Sequence, residues 1–286
     1  MAEVTGSDFL FGIKNGPVVG GATGVTTETT ANLIDIITKQ GGSAGKWNRR
    51  LAGLKAHTHS VDFNYLKGGS DVIGRENAML EYEVGSAFTE IPGVTEISLG
   101  MEMSLEPRGG LDLQRWSYFI PNRKDISLSL TMNYIDSADS GDGADFTQAV
   151  QDALDNDTAL TFRLSIGTFS VQGDVKVSDT TLSTDPDAIA PYQIELSSNG
   201  VWTKTDGDSD SGFQALLANF FADAPDEIDF ISGRLDENGD PIVGTTLFEG
   251  SGYATSLEIS VPDEDEITAS AEVTGSGPMT STEVSA

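Results

Sequence analysis

His57 and His59 are the only imidazoles in a chain of 286 residues that has no cysteine. Standing at i and i+2, they would share one face of a strand, and such a pair can ligate a metal if a carboxylate or thiolate joins it. No acidic partner stands at a recognisable spacing. Their neighbours on that face, Val61, Phe63 and Tyr65, are apolar or aromatic, so packed, hydrogen-bonded histidines are favoured over ligands. A Ser-His-Asp arrangement would have to use these same two residues. Asp206, Asp208 and Asp210 alternate as in the start of a calcium loop, but the glycine and the distal glutamate are misplaced. The run around Val18-Val19-Gly20-Gly21 lacks the Gly-Lys-Ser/Thr of a phosphate loop, and no helical pattern follows it as a dinucleotide fingerprint requires. Carboxylates are so abundant that no pair stands out for acid-base work. The sequence therefore predicts no catalytic, cofactor-binding or metal-ligating residue, no cofactor and no enzyme.

Charge narrows the partners. There are 45 acidic and 16 basic residues, a formal net charge of −29. A groove that grips phosphates must neutralise them, so a DNA- or RNA-binding role is disfavoured. The apolar fraction is ordinary and strand patterns persist, which predicts a folded protein with an acid-coated surface rather than a disordered one. Such a coat suits solubility in high salt and suggests a halophilic source. The first residues show no basic region followed by a long apolar run, and no later stretch approaches the ~18 apolar residues of a membrane span, so a soluble chain without export or membrane contact is expected.

The elements that must carry any function are mostly strands, and they recur. Residues 24–66 overlay residues 93–135 without a gap when Trp47 is placed on Trp116 (116 − 47 = 69): Gly24-Val25-Thr26 meets Gly93-Val94-Thr95, Lys55 meets Lys124, and Asn64-Tyr65 meets Asn133-Tyr134. In both copies a strand with one buried face follows, His57, His59, Val61 and Phe63 in one and Ile126, Leu128, Leu130 and Met132 in the other. The alternative, two unrelated alternating strands, would not bring the tryptophan and the Asn-Tyr pair into line together.

Two acidic loops, at 136–145 and 205–212, each lead into a helix. Asp145 and Ser211 are the expected caps, with apolar stripes at Phe146, Ala149, Val150, Ala153 and Leu154 and at Phe213, Leu216, Leu217, Phe220 and Phe221. Further strands are expected at 159–164, 168–177, 192–197, 227–231, 242–248, 253–261 and 267–273, besides an opening hairpin over 8–23. The order implies one module inserted into another: 1–66 plus 211–277 as a discontinuous outer module, 67–210 as the inner one with its linkers, and 278–286 as a loose tail. Residues 67–92 read as a linker or extended hairpin.

Val18-Val19-Gly20-Gly21, Ile34-Asp35, Thr38-Lys39, Trp47, Gly53-Leu54-Lys55 and Val61-Asp62, with the helix 213–221, Thr255-Ser256-Leu257, Val261-Pro262-Asp263 and Gly275-Ser276-Gly277, resemble the tail tube proteins of long-tailed, non-contractile viruses. The match covers the outer segments, nearly half the chain, and its motifs are short. The resemblance implies a mainly β fold of tail-tube-type β-sandwich or barrel modules, each with one flanking helix. It also implies self-assembly into stacked rings forming a hollow tube in the virion, made in the host cytoplasm. Expected partners are further copies of the chain, a tape measure and tube-end proteins, while viral DNA passes without specific binding. Two modules per chain allow three chains in a pseudo-sixfold ring or six chains carrying the second module outside as decoration, and the three-chain ring is preferred because the inner copy keeps the strand and helix features of the outer one. Assembly contacts are expected at 67–92, at the loop 40–46 and at the two termini. A non-catalytic two-domain binding or adhesion protein of a halophile is the alternative.

Overall fold

The computed structural model describes residues 10–14, 22–37, 48–64, 66–67, 71–72, 74–108, 116–135, 141–183, 190–205, 212–235, 240–263 and 265–285. The chain opens with β1 (Leu10–Ile13), β2 (Ala22–Ile37) and β3 (Asn48–Asn64), and the short pair β4 (Leu66–Lys67) and β5 (Asp71–Val72) leads on to β6 (Ala78–Val84) and β7 (Ala87–Glu90). Then come β8 (Val94–Arg108), β9 (Tyr118–Asn133), helix α1 (Asp142–Asn156), β10 (Leu160–Ile166), β11 (Phe169–Leu182), β12 (Pro191–Ser198) and β13 (Thr203–Thr205). Helix α2 (Gly212–Phe221) precedes β14 (Ile228–Gly233), β15 (Thr246–Val261), β16 (Thr268–Gly275) and β17 (Thr280–Glu283).

The protein is mainly β, with one large antiparallel sheet ordered β2-β3-β16-β15-β8-β9-β12-β11-β10-β6-β7. β14 branches from β15 and carries β1, β17 adds to β15, and β13 adds to β11. Alternation in the sequence sets the two faces: Ile97, Leu99, Met101, Leu128, Leu130, Leu257 and Ile259 are buried while Glu102 and Glu258 between them are exposed. Each such apolar side chain contributes roughly 1.5–3 kcal/mol through burial. α1 covers this face beside β11 and α2 beside β15, with Phe146 against Tyr82 and Phe213 against Phe63 at 4.9 Å between ring centres in both cases.

One pairing pattern occurs twice. The succession β2-β3-β16-β15-β14-β1 is matched by β8-β9-β12-β11-β10-β6, and the registers match as well. His59 faces Val273 where Leu128 faces Leu196, and Leu247 faces Thr282 where Ser170 faces Thr205. Bulges, which bend a strand and increase its twist, fall at Ala254/Ser256 in one copy and Val177/Asp179 in the other. The two half-sheets join edge to edge through β15 and β8, from Ser256 opposite Glu102 to Val261 opposite Ile97.

Several expectations change. Val25 faces Val61 and Ile97 faces Leu130, so β3 maps onto β9 with the expected shift (130 − 61 = 69) but β2 maps onto β8 with a larger one (97 − 25 = 72). The ungapped overlay slips by three residues in the first strand, because the loop that follows is three residues shorter in the second copy. Trp47 lies outside the described residues. β1 pairs with β14 from the far end of the chain, while the turn and second strand of the expected opening hairpin, residues 15–21, lie outside the described residues. The strands expected at 242–248 and 253–261 give one continuous β15 from Thr246, and residues 242–245 form a turn before it. Residues 280–283, expected in a loose tail, form β17 on β15. Within 67–92, β6 and β7 form a hairpin at the end of the sheet.

Helix α1 begins at Asp142, so Asp145 is not its cap. The N-cap is Gly141, which has no side chain to offer, and Asp142 and Asp145 instead place negative charge in the first turn, where the helix dipole favours it. Ser211, the cap expected for α2, lies outside the described residues.

Candidate assembly surface

The histidines are fully enclosed, His57 being 1% and His59 0% exposed. His59 Nδ1 lies 3.0 Å from Thr27 Oγ1, and its Nε2 lies 3.3 Å from His57 Nδ1. Phe230 packs on both rings, and Trp116 meets His57 edge-on with centres 5.5 Å apart. No group of three or more potential metal ligands occurs among the described residues. Asp206, Asp208 and Asp210 lie outside them. The geometry is that of a packed polar pair in an aromatic core.

Burial, and secondarily the neighbouring His57, pushes His59 down to about 3, and burial lowers His57 too. The folded state therefore rejects a proton that the unfolded chain accepts below its ordinary pKa of 6.5. Stability contributed by the neutral ring is whole above pH 6.5 and is lost as pH falls towards 3, by about 1.4 kcal/mol per pH unit. His59→Leu, which installs the side chain found at Leu128, is expected to flatten the acid limb of stability between pH 6.5 and 4 in denaturant titrations; an unchanged slope would contradict the buried neutral ring.

The surface opposite the core is polar across the joined sheet. Cross-strand rows run Asp62–Ser270–Glu258–Gly100–Ser127–Ser197 and Ser60–Glu272–Ser256–Glu102–Asp125. Hydroxyls there serve carboxylates: Ser98 donates to Glu258 at 3.1 Å and Ser129 to Glu195 at 3.0 Å. From β3 to β12 these rows hold Ser, Thr, Asp, Glu, Gln, Asn and Gly and no lysine or arginine, and on β11 the first of them ends at Lys176 opposite Ser197. The cations beside them are paired, Lys176 with Asp157 at 2.7 Å and Arg123 with Asp125 at 2.8 Å. Unneutralised carboxylates at this density repel a polyanion.

The β15–β8 joint is reinforced by the β8–β9 hairpin, which leans on the outer half. Ser117 N donates to Lys55 O, Gly277 N donates to Ser117 O, and Phe119 N donates to Ser276 Oγ. Lys124 Nζ donates to Ala222 O, just past α2, and lies 5.7 Å from the centre of the Phe220 ring. A cation at a helix C-terminus is favoured by the exposed carbonyls and the dipole. The crevice here, lined by Arg108, Tyr118, Lys124, Asp223, Glu227 and Tyr253, is a seam between halves and brings together no nucleophile and base.

No protein-family model and no curated protein matches the chain. Solved structures do. The virion of a native gene transfer agent particle gives 15% identity and a TM-score of 0.40, covering 46% of this chain and 97% of that one. The tail of an empty gene transfer agent particle, refined with C6 symmetry, gives 15% and 0.41 over the same shares. The SPP1 tail tube gives 17% and 0.36, covering 49% of this chain and 82% of that one. These are likenesses of fold; the mainly β class itself rests on the sheet described above.

Several strand edges are open among the described residues, β7 at one end of the sheet included, and two of them correspond to the two sides of the β15–β8 joint. β2, at the end of the sheet, pairs only with β3. β11 has β12 along residues 175–182, but β10 covers its other side only as far as Val175. Neither edge is identifiable from sequence, since alternation reports faces and not edges. Of the contacts expected from sequence, 67–92 forms the β6–β7 end of the sheet, while 40–46 and residues 1–9 lie outside the described residues.

Proposed function

We propose that this chain is a structural tail-tube subunit of a virion, that it self-associates into rings, and that the rings stack into a hollow tube for DNA delivery. The observation that carries this reading is the twice-repeated half-sheet, joined edge to edge within one chain and leaving open the outer edge of β2 in one half and the edge of β11 beyond Val175 in the other. An open edge is a template for another strand, and a unit with one at each end adds copies head to tail until the ring closes. In this reading the chain holds two modules, one drawn from 1–66 and 211–277 and the other inserted at 67–210, and three chains make a pseudo-sixfold ring. Both halves have the complete set of strands and a helix, which favours three chains over six carrying one module as decoration.

The carboxylate-rich polar face, whose bordering Lys176 and Arg123 are paired with Asp157 and Asp125, suits a bore, because contacts that neutralise phosphates would hold a passing duplex. A siphovirus-like virion of a halophilic host, assembled in the host cytoplasm with tape-measure and tube-end partners, completes the proposal. No catalytic step is part of it.

Electron microscopy of the concentrated protein in molar salt tests it. Hollow tubes are expected, with threefold or pseudo-sixfold end views. Dispersed monomers at every salt and protein concentration would overturn the reading in favour of a monomeric binding module.

A further inference from the structure

We infer that one copy's β11 pairs antiparallel with the next copy's β2, in a register already written inside the chain by the β15–β8 joint. The inference rests on the assembly reading above and assigns its contact residue by residue. β15 maps onto β11 through their bulges (254 − 177 = 77), and β8 maps onto β2 (97 − 25 = 72). Moving the joint by these shifts turns Ser256 opposite Glu102 into Asp179 opposite Thr30, and Glu258 opposite Gly100 into Thr181 opposite Glu28. Leu182 then faces Thr27. All these residues lie on the open edges described above.

Burial agrees with a missing neighbour. Leu182 is 43% exposed, whereas its counterpart Ile259, covered by β8, is 0% exposed. A large apolar side chain on an open strand edge is what a further strand would cover.

Charge agrees independently. Lys124, from the second half, reaches the carbonyl just past α2 in the first. Its counterpart is Lys55, which is exposed. The counterpart of the α2 terminus is the end of α1, where no basic residue occupies the last turn, Asp152 and Asp155 stand nearby, and the C-cap Asp157 is paired with Lys176. Pairing β2 of one copy with β11 of another carries Lys55 towards this acidic end, repeating the Lys124 contact between chains. The occupant of both edges is thus a second copy of this chain.

Because the chain has no cysteine, engineered pairs report the register cleanly. Directly opposed residues of antiparallel strands lie within the ~4.4–6.8 Å Cα separation that a disulfide needs, and diagonal ones largely do not. Oxidation of tubes made from Glu28→Cys/Thr181→Cys or Thr29→Cys/Thr180→Cys is expected to give ladders of covalent dimer and trimer, at least ten times the yield of the shifted pair Thr26→Cys/Thr181→Cys. The two matched pairs sample both hydrogen-bonding positions, and cysteine-free tubes provide the blank. Lys55→Glu, tested alone as a folded monomer by circular dichroism, is expected to raise the concentration needed for assembly at least tenfold, with Asp155→Lys restoring part of it. Tubes that form but cross-link only in the shifted register, or not at all, would overturn this contact and leave the tube reading standing. Absence of tubes for the unmodified chain would overturn that reading itself.

Discussion

Gly275→Ala is expected to destabilise the folded chain by about 3 kcal/mol, the upper range for forcing an atom into a packed site. A Cβ at Gly275 would stand 1.8 Å from His57 Cε1 and 2.1 Å from its Nδ1, well inside contact distance. The imidazole has nowhere to go: Trp116, His59 and Phe230 enclose it, with ring centres 5.4–5.7 Å away. The other half shows how the same site accepts a side chain. There Ser198 takes the place of Gly275 and Ile126 that of His57, with the Ile126 amide donating to Ser198 Oγ at 3.1 Å and the Ser198 hydroxyl donating to Asp125 at 2.8 Å. Gly275→Ser combined with His57→Ile should therefore recover most of the loss. Equilibrium unfolding of the two single variants and the double variant measures the coupling. Strict additivity would mean that the glycine is there for another reason.

This exchange also marks what the sequence could and could not disclose. The faces of β3 and β9 were legible because alternation is a property of single strands, and His57 and His59 were correctly assigned to the packed side from the residues opposite them in the repeat. Both helices were legible from their stripes, although α1 starts earlier than its first apolar residue suggests and Leu154, counted in the stripe, is 40% exposed. Pairing was less accessible. A three-residue difference in one loop defeats an ungapped overlay while leaving every strand register intact.

Gly250-Ser251-Gly252 read as a break, yet β15 runs through it. At Gly252 the backbone of β16 comes so close that a Cβ would stand 2.4 Å from Thr274 O, so the glycine serves strand packing and not a turn. The partners of β1 and β17 lie at sequence distances that no local pattern reports. Lys124 matched Lys55 in the repeat, but its role at the end of α2 required a contact 98 positions away. The candidate surface was the least legible part, because an open edge is defined by a strand that is missing.

Phe146→Ala is expected to cost about 3–5 kcal/mol, as for other large buried aromatics cut back to alanine, and to lower the stability of both halves together. Phe146 is 0% exposed and fastens α1 to the sheet through Tyr82 and Phe162, with centres 4.9 and 6.1 Å away. If the halves were separate folding units, this loss would fall on one of two transitions. They share a backbone ladder from Ser256–Glu102 to Val261–Ile97, and Leu99, Leu257 and Ile259 along it are 0% exposed. Separating them would expose that strip and leave ladder groups of two strands without partners. Phe213, packed edge-on against Phe63 in the first half, provides the control. Phe146→Ala and Phe213→Ala should each move a single unfolding transition, seen alike by tryptophan fluorescence and by far-ultraviolet circular dichroism. Two separated transitions, each sensitive to only one of the substitutions, would show that the joint is weaker than either core. Cooperative unfolding across this joint would also show that an edge-to-edge contact of this register is strong enough to hold a half-sheet to its neighbour, the property that an assembly built from the same contact requires.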